Sequence, residues 1–283
     1  MLENPSSAPH SPQRGPVSRR LTGRPRAVLL IDRRAVGDLA AVRLVEAAHA
    51  HGVEAVELAA DDELHAVAAH AVGTADLVGL AGAASGQALV ANVAMEHGVP
   101  YVWMPPVDGR RSALGARVAR CDVGSALEAF AAGVEREIDV AFVNGRMFVD
   151  SVSLEAAAGA DPLGVRFADG EGARREAAQR IVVTNRPTWS APRAESRAAL
   201  LRIVVHLAVR DPVRGGRLRW SAPTFGVDAE LPLAARVDGR LAVLEPPLRF
   251  KAVANALVVR VPRALAGPAR ATPHPARRRG ARP

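Results

Sequence analysis

From Ala27 onward the sequence alternates short apolar runs with segments of helical spacing, and no other feature narrows the possible folds so far. Ala27-Val-Leu-Leu-Ile31 has no polar position, as a strand covered on both faces requires. Leu39 to Ala50 places apolar residues at Leu39, Val42, Val45 and Ala48, the spacing of one helix face. Val53 to Leu58 alternates as a strand. Asp61, Asp62 and Glu63 then put acids on the first turn of a helix reaching about Val72, where the helix dipole favours them. Leu77–Ala81 is the next strand, Gln87–His97 a helix and Pro100–Met104 a strand. Ser125-Ala-Leu-Glu128 has the form of a capping box opening a helix to about Gly133. Strands alternating with helices of this length fold as a parallel sheet with right-handed crossovers. Residues 27–137 are expected to form one α/β domain.

After Glu137 the pattern changes. Ile138 to Val143, the turn Asn144-Gly145 and Arg146 to Val149 predict a hairpin with a type I′ turn. Val237-Asp238-Gly239-Arg240 predicts a second. Further strands are expected at 165–167, 179–184, 201–209, 218–220, 234–237, 241–244, 248–253 and 256–261. A run of strands after an α/β unit predicts a separate β-rich domain, residues 138–262.

The formal net charge of +8 invites a nucleic-acid reading until the charges are located. Arg14, Arg19, Arg20, Arg24 and Arg26 oppose only Glu3 in residues 1–26. Arg263, Arg270, Arg277, Arg278, Arg279 and Arg282 face no acid in residues 263–283. These two ends hold more than the whole excess, so residues 27–262 are mildly acidic, and no sequence-specific nucleic-acid reader is expected. Both ends are rich in Pro, Ser and Ala and are expected to be disordered. Such tails can hold anionic lipid headgroups at about 1 kcal/mol per arginine, bind RNA without sequence preference, or serve as solvated extensions. With 4% aromatic residues, the cores must be built from Ala, Val and Leu. Cys121 stands alone, which excludes an internal disulfide and a thiol-rich zinc cluster. No apolar stretch approaches the roughly 20 residues of a spanning helix, and residues 1–25 lack the apolar centre of a secretory signal. The expected location is the cytoplasm, with peripheral contact to a membrane.

Gly82-Ala83-Ala84-Ser85-Gly86 lies between the strand Leu77–Ala81 and the helix that follows, where an α/β nucleotide fold carries its phosphate loop. Around it stand Gln87-Ala-Leu-Val-Ala, Met95-Glu-His-Gly-Val-Pro100, Ala126-Leu-Glu-Ala-Phe130 and the stretch from Glu135 through Asn144-Gly145 to Val149. Later come Asp238-Gly239, Glu245-Pro-Pro-Leu-Arg-Phe250 and Ala256-Leu-Val-Val-Arg-Val-Pro262. In their order and spacing these segments resemble the diacylglycerol kinase catalytic family, the bacterial lipid-kinase relatives of sphingosine kinase and NAD kinase. The resemblance covers most of residues 27–262. It implies an α/β nucleotide-binding domain followed by a β-sandwich domain, with ATP, Mg2+ and a lipid in the cleft between them.

The residues that would do the chemistry depart from the family pattern. The family's first phosphate turn is Asn-Pro-x-Ser-Gly; here Asp32-Arg33-Arg34-Ala35-Val36-Gly37 stands there, and Asp32 opposes an anion unless Arg33 and Arg34 offset it. The glycine-rich loop keeps Gly82 and Gly86, but Ala83 and Ser85 replace glycines, and Ala84 occupies the acidic position. The Pro-x-Gly-Thr-x-Asn turn is represented by Pro105-Pro106-Val107-Asp108-Gly109-Arg110. The family's general base, the Glu of Asp-Gly-Glu, has become Arg240, whose guanidinium stays protonated and cannot take a proton. Lys251, the only lysine, falls in a late strand, so no Walker loop replaces the lost parts. Ser85 is no nucleophile elbow, because Gly-x-Ser-x-Gly fails at Ala83. His65 and His70, five residues apart, read as a solvated helix surface rather than a metal site.

The expectation is a catalytically degenerate lipid kinase, a pseudokinase that binds a ligand, lipid or partner, with ATP and Mg2+ as cofactors only where activity is retained. Two rivals stand beside it. One is an active ATP-dependent lipid kinase that uses Asp32, Asp108 or Asp238 in shifted roles. The other is a membrane-surface module held by its basic tails.

Overall fold

Strands β1 (Ala27–Asp32), β2 (Glu54–Leu58), β3 (Leu77–Ala81) and β4 (Tyr101–Val102) pair in parallel in the order β2-β1-β3-β4 in the computed structural model of the chain. The structure describes residues 25–59, 63–105, 122–156, 163–169, 172–185, 200–211 and 215–265. β3 is buried at every position and β1 at all but Asp32, as their unbroken apolar runs require. Among the described residues five α-helices accompany the sheet: α1 (Arg33–Val36), α2 (Asp38–Ala50), α3 (Leu64–Thr74), α4 (Ala84–Glu96) and α5 (Val123–Ala132).

Three helix starts differ from expectation. α3 begins at Leu64, so Glu63 precedes it as a cap residue instead of lying on its first turn, and Asp61 and Asp62 fall outside the described residues. α5 is capped by Asp122, whose Oδ1 accepts from the Ser125 amide at 2.7 Å; Ser125 is therefore inside the helix and not its cap. α4 begins at Ala84, three residues ahead of the predicted Gln87, so Ala84, Ser85 and Gly86 form its first turn.

The second part of the chain is strand-rich. β5 (Val134–Val143) and β6 (Arg146–Phe148) form the expected hairpin, with Asn144 at φ 48° and Gly145 at φ 81°. β13 (Leu233–Val237) and β14 (Arg240–Leu244) form the other, with Asp238 at φ 48° and Gly239 at φ 83°. Between them lie β7 (Ser151–Glu155), β8 (Leu163–Asp169), β9 (Gly172–Asn185), β10 (Leu201–Asp211), β11 (Gly215–Ala222) and β12 (Thr224–Asp228). β15 (Leu248–Val261) joins the two strands expected at 248–253 and 256–261 into one, with a register shift between Val253 and Leu257.

β15 ties the two parts together. Its first half pairs with β12, while Val259 and Arg260 pair in parallel with Tyr101 and Val102 of β4, so the last strand continues the first sheet. Two apolar cores follow from this path. One gathers β1, β3, β4 and helices α2 to α5 with Leu257, Val259 and Val261; the other is built on Phe148, Val152, Ile181, Val183, Ile203 and Phe250. Both ends of the described body are fastened: Arg26 donates to Glu54 at 3.0 Å, and Arg263 Nε donates to the Ala132 carbonyl at 3.0 Å. No helix among the described residues is long and apolar enough to cross a membrane.

Candidate functional site

The ends of β1, β3 and β4 meet at the carboxyl edge of the parallel sheet, where open α/β folds receive their ligands. Asp32 ends β1 and caps α1. Its Oδ1 accepts from the Arg34 amide at 3.2 Å and from Arg34 Nε at 3.1 Å. The carboxylate that the sequence set against an incoming anion is thus held in an ion pair with its own neighbour. Arg33 turns away to Asp38 at 2.9 Å and to Glu57 at 3.4 Å.

Gly82 follows β3 directly beside this turn. A Cβ added there would lie 3.3 Å from the Asp32 Cβ and 3.3 Å from Leu80 Cγ, tighter than ordinary contact. The run Gly82–Gly86 is therefore not a five-residue loop: two residues turn the chain and the helix begins. Ala83 caps α4 without a side-chain hydrogen bond, so the leading amides of this 13-residue helix have no side-chain acceptor. Gly86 is needed for packing, since a Cβ there would sit 3.0 Å from Leu80 Cδ2 and 3.3 Å from Leu64 Cδ2.

Gln87 organises the site although the sequence offered it only as a framing residue. Its side chain is fully buried, and Nε2 donates to the Met104 carbonyl at 2.9 Å and to the Gly82 carbonyl at 3.5 Å. One amide thereby links the end of β3 to the end of β4. The signal was a lone polar residue on the buried face of an Ala- and Val-rich helix. Val107, Asp108, Gly109 and Arg110 lie outside the described residues.

The Asp238-Gly239 turn lies at the seam between the two cores. Asp238 is 8% exposed, and its carboxylate accepts from the amides of Val149 (3.0 Å), Asp150 (2.8 Å) and Ser151 (3.0 Å). Val149 packs in the first core and Val152 in the second, so this grip holds the chain where it passes between them. Burial pushes the Asp238 carboxyl above its ordinary range, against the three N–H groups that pull it down. Arg240 opens β14, exposed and opposite Val237. Among the described residues no hydrogen bond or ion pair connects it to Asp32 or to residues 82–86.

No family model and no curated protein matches the chain. Solved structures do. A diacylglycerol kinase from Bacillus anthracis str. Sterne superimposes with a TM-score of 0.64 over 85% of this chain and 98% of that one, at 12% identity. The chain has the diacylglycerol kinase fold. A second Bacillus anthracis structure ascribed to such a kinase gives a TM-score of 0.65 at 13% identity, over 87% of this chain and 99% of the other. At this identity the likeness extends to the fold and not to the chemistry.

Within the diacylglycerol kinase fold, the end of α4 can receive an anion through its leading amides. Among the described residues no group of three or more His, Cys, Asp or Glu could hold a metal ion by protein ligands alone; a magnesium ion carried on phosphate oxygens needs only one or two carboxylates, and Asp32 is the described carboxylate at this edge.

Proposed function

We propose that the chain is a catalytically degenerate member of the diacylglycerol kinase family, keeping the fold and an anion-receptive helix end while binding a ligand or partner without phosphoryl transfer. The observation that carries this reading is the state of the two described carboxylates left to the site. Asp32 commits its Oδ1 to the helix cap and to the Arg34 guanidinium, an ion pair that would be lost if the carboxylate took up a proton. Asp238 is committed to three backbone amides. A general base must reach the substrate hydroxyl with a free lone pair, and Arg240, standing at the family's base position, offers none.

The test is a calorimetric titration of the full chain with ATP, with and without magnesium, beside a turnover assay on diacylglycerol in detergent micelles. The expected outcome is no magnesium-dependent phosphorylated lipid and no gain in ATP affinity from magnesium. Turnover that disappears in Asp32→Asn or Asp238→Asn would establish the active-kinase rival instead.

A further inference from the structure

Strands β14, β13, β7, β9, β10 and β11 lie side by side in that order. Alternate residues along them fill the second core, and the others form an outer face. Register fixes which side chains share that face. Arg236 stands opposite Ser153, Ser153 opposite Val182, Val182 opposite Val204, and Val204 opposite Arg219. One step along the face, Glu155 stands opposite Arg180, Arg180 opposite His206, and His206 opposite Arg217. Arg202 lies one step the other way, between Thr184 and Ser221.

Glu155 is the one acid of this set, and it is spent on Arg180 at 3.1 Å. Arg202, Arg217, Arg219 and Arg236 have no ion pair among the described residues. Residues 27–262 are mildly acidic as a whole, so this group of cations on one sheet face is a separation of charge and not the average surface. Burial and the cations of Arg217 and Arg180 hold the His206 imidazole below its ordinary range, as a coherent positive field requires. Along the β14 edge the same face carries Leu241 and Val243, 74% and 69% exposed, opposite Arg236 and Ala234.

We propose that this arginine face docks on an anionic phospholipid bilayer, with the guanidinium groups against headgroup phosphates and Leu241 and Val243 entering the interface. Charge complementarity selects an anionic partner, and the aliphatic edge selects lipid over nucleic acid. Single-stranded nucleic acid is held by exposed aromatic rings, and this face presents no Phe, Tyr or Trp among its described residues. The docking surface is independent of phosphoryl transfer and distinct from the basic tails.

Co-sedimentation of the full chain with vesicles of phosphatidylcholine, alone and mixed with phosphatidylserine, tests this. Binding is expected only to the mixed vesicles and is expected to weaken with salt. The triple variant Arg217→Gln, Arg219→Gln, Arg236→Gln loses roughly a hundredfold in affinity, and each single change about fivefold. The single variants decide the matter should the triple fold poorly. Both tails remain in every variant, so unchanged binding would assign the membrane to the tails and overturn the proposal. Vesicle binding absent while single-stranded RNA binding depends on these arginines would overturn it in favour of nucleic acid. A second readout is the His206 ring by NMR. An anionic surface drawn over Arg217 and Arg180 raises its titration midpoint, whereas bound vesicles that leave it unmoved place the contact elsewhere.

Discussion

Asp238→Ala lowers the thermal midpoint by roughly 10 °C. The substitution leaves three backbone N–H groups without their acceptor, one of them, on Val149, fully buried. A stranded buried donor costs about 1–3 kcal/mol, while the two partly buried amides recover water and cost less. Burial of the carboxylate itself is unfavourable, as its raised pKa records, and removing the group offsets part of the loss. The net is about 3 kcal/mol, and in a body of this size each kcal/mol moves the midpoint by about 2–4 °C. Asp238→Asn falls between: its amide oxygen can serve Asp150 and Ser151, but its NH2 then meets the Val149 N–H, donor against donor. Melting curves on the full chain check the order wild type, Asn, Ala. If Asp238→Ala melts within about a degree of wild type, a difference of well under 1 kcal/mol, the carboxylate is not the clasp described here. Asp238 would then be free for chemistry, and the degenerate-kinase reading would lose its main support.

The clasp also marks where sequence reading runs out. Asp238-Gly239 was legible as a turn, because Asp or Asn before Gly tolerates the positive φ of a type I′ hairpin, and Asn144-Gly145 was legible for the same reason. What the Asp238 side chain grips was not legible, since its partners lie 87 to 89 residues away. β1, β3 and β4 were readable from their unbroken apolar runs and β2 from its alternation. β7 and β12 were not, because Ser151-Val-Ser-Leu-Glu155 and Thr224-Phe-Gly-Val-Asp228 carry only two apolar residues each, too few to establish a period. β15 read as two strands because Asn255, at φ 52°, interrupts the pattern at the register shift. At the site, Ala84-Ser85-Gly86 read as loop because Gly and Ser are weak helix formers. Packing of Gly86 against Leu80 and Leu64 overrides that preference. The resemblance sets Arg240 and Ala84 against a base and an acid of the family from sequence alone, whereas the occupation of Asp32 by Arg34 required coordinates.

Gly79→Val is expected to be more damaging than any exposed substitution, although Val is the better strand former. Gly79 sits mid-strand in β3, between Leu29 of β1 and Val102 of β4. A Cβ there would lie 2.9 Å from the ring Cζ of Phe130 and 2.9 Å from the backbone oxygen of Val102. The two contacts differ in what can yield. The Phe130 ring, fully buried on α5, can tilt only by disturbing the first core, and the Val102 oxygen is fixed in the sheet. β propensity returns at most about 1 kcal/mol, against about 1–3 kcal/mol of overpacking for a methyl group and more for a branched side chain. Gly79→Ala therefore loses stability, and Gly79→Val loses more. The source of the loss is separable by a double-mutant cycle. Phe130→Leu removes the ring atom and restores part of the stability of Gly79→Ala, leaving the share owed to the Val102 oxygen. Chemical denaturation of the four proteins measures both shares. Full additivity between positions 79 and 130 would show that the ring is not the obstacle and that the backbone contact alone keeps this position glycine.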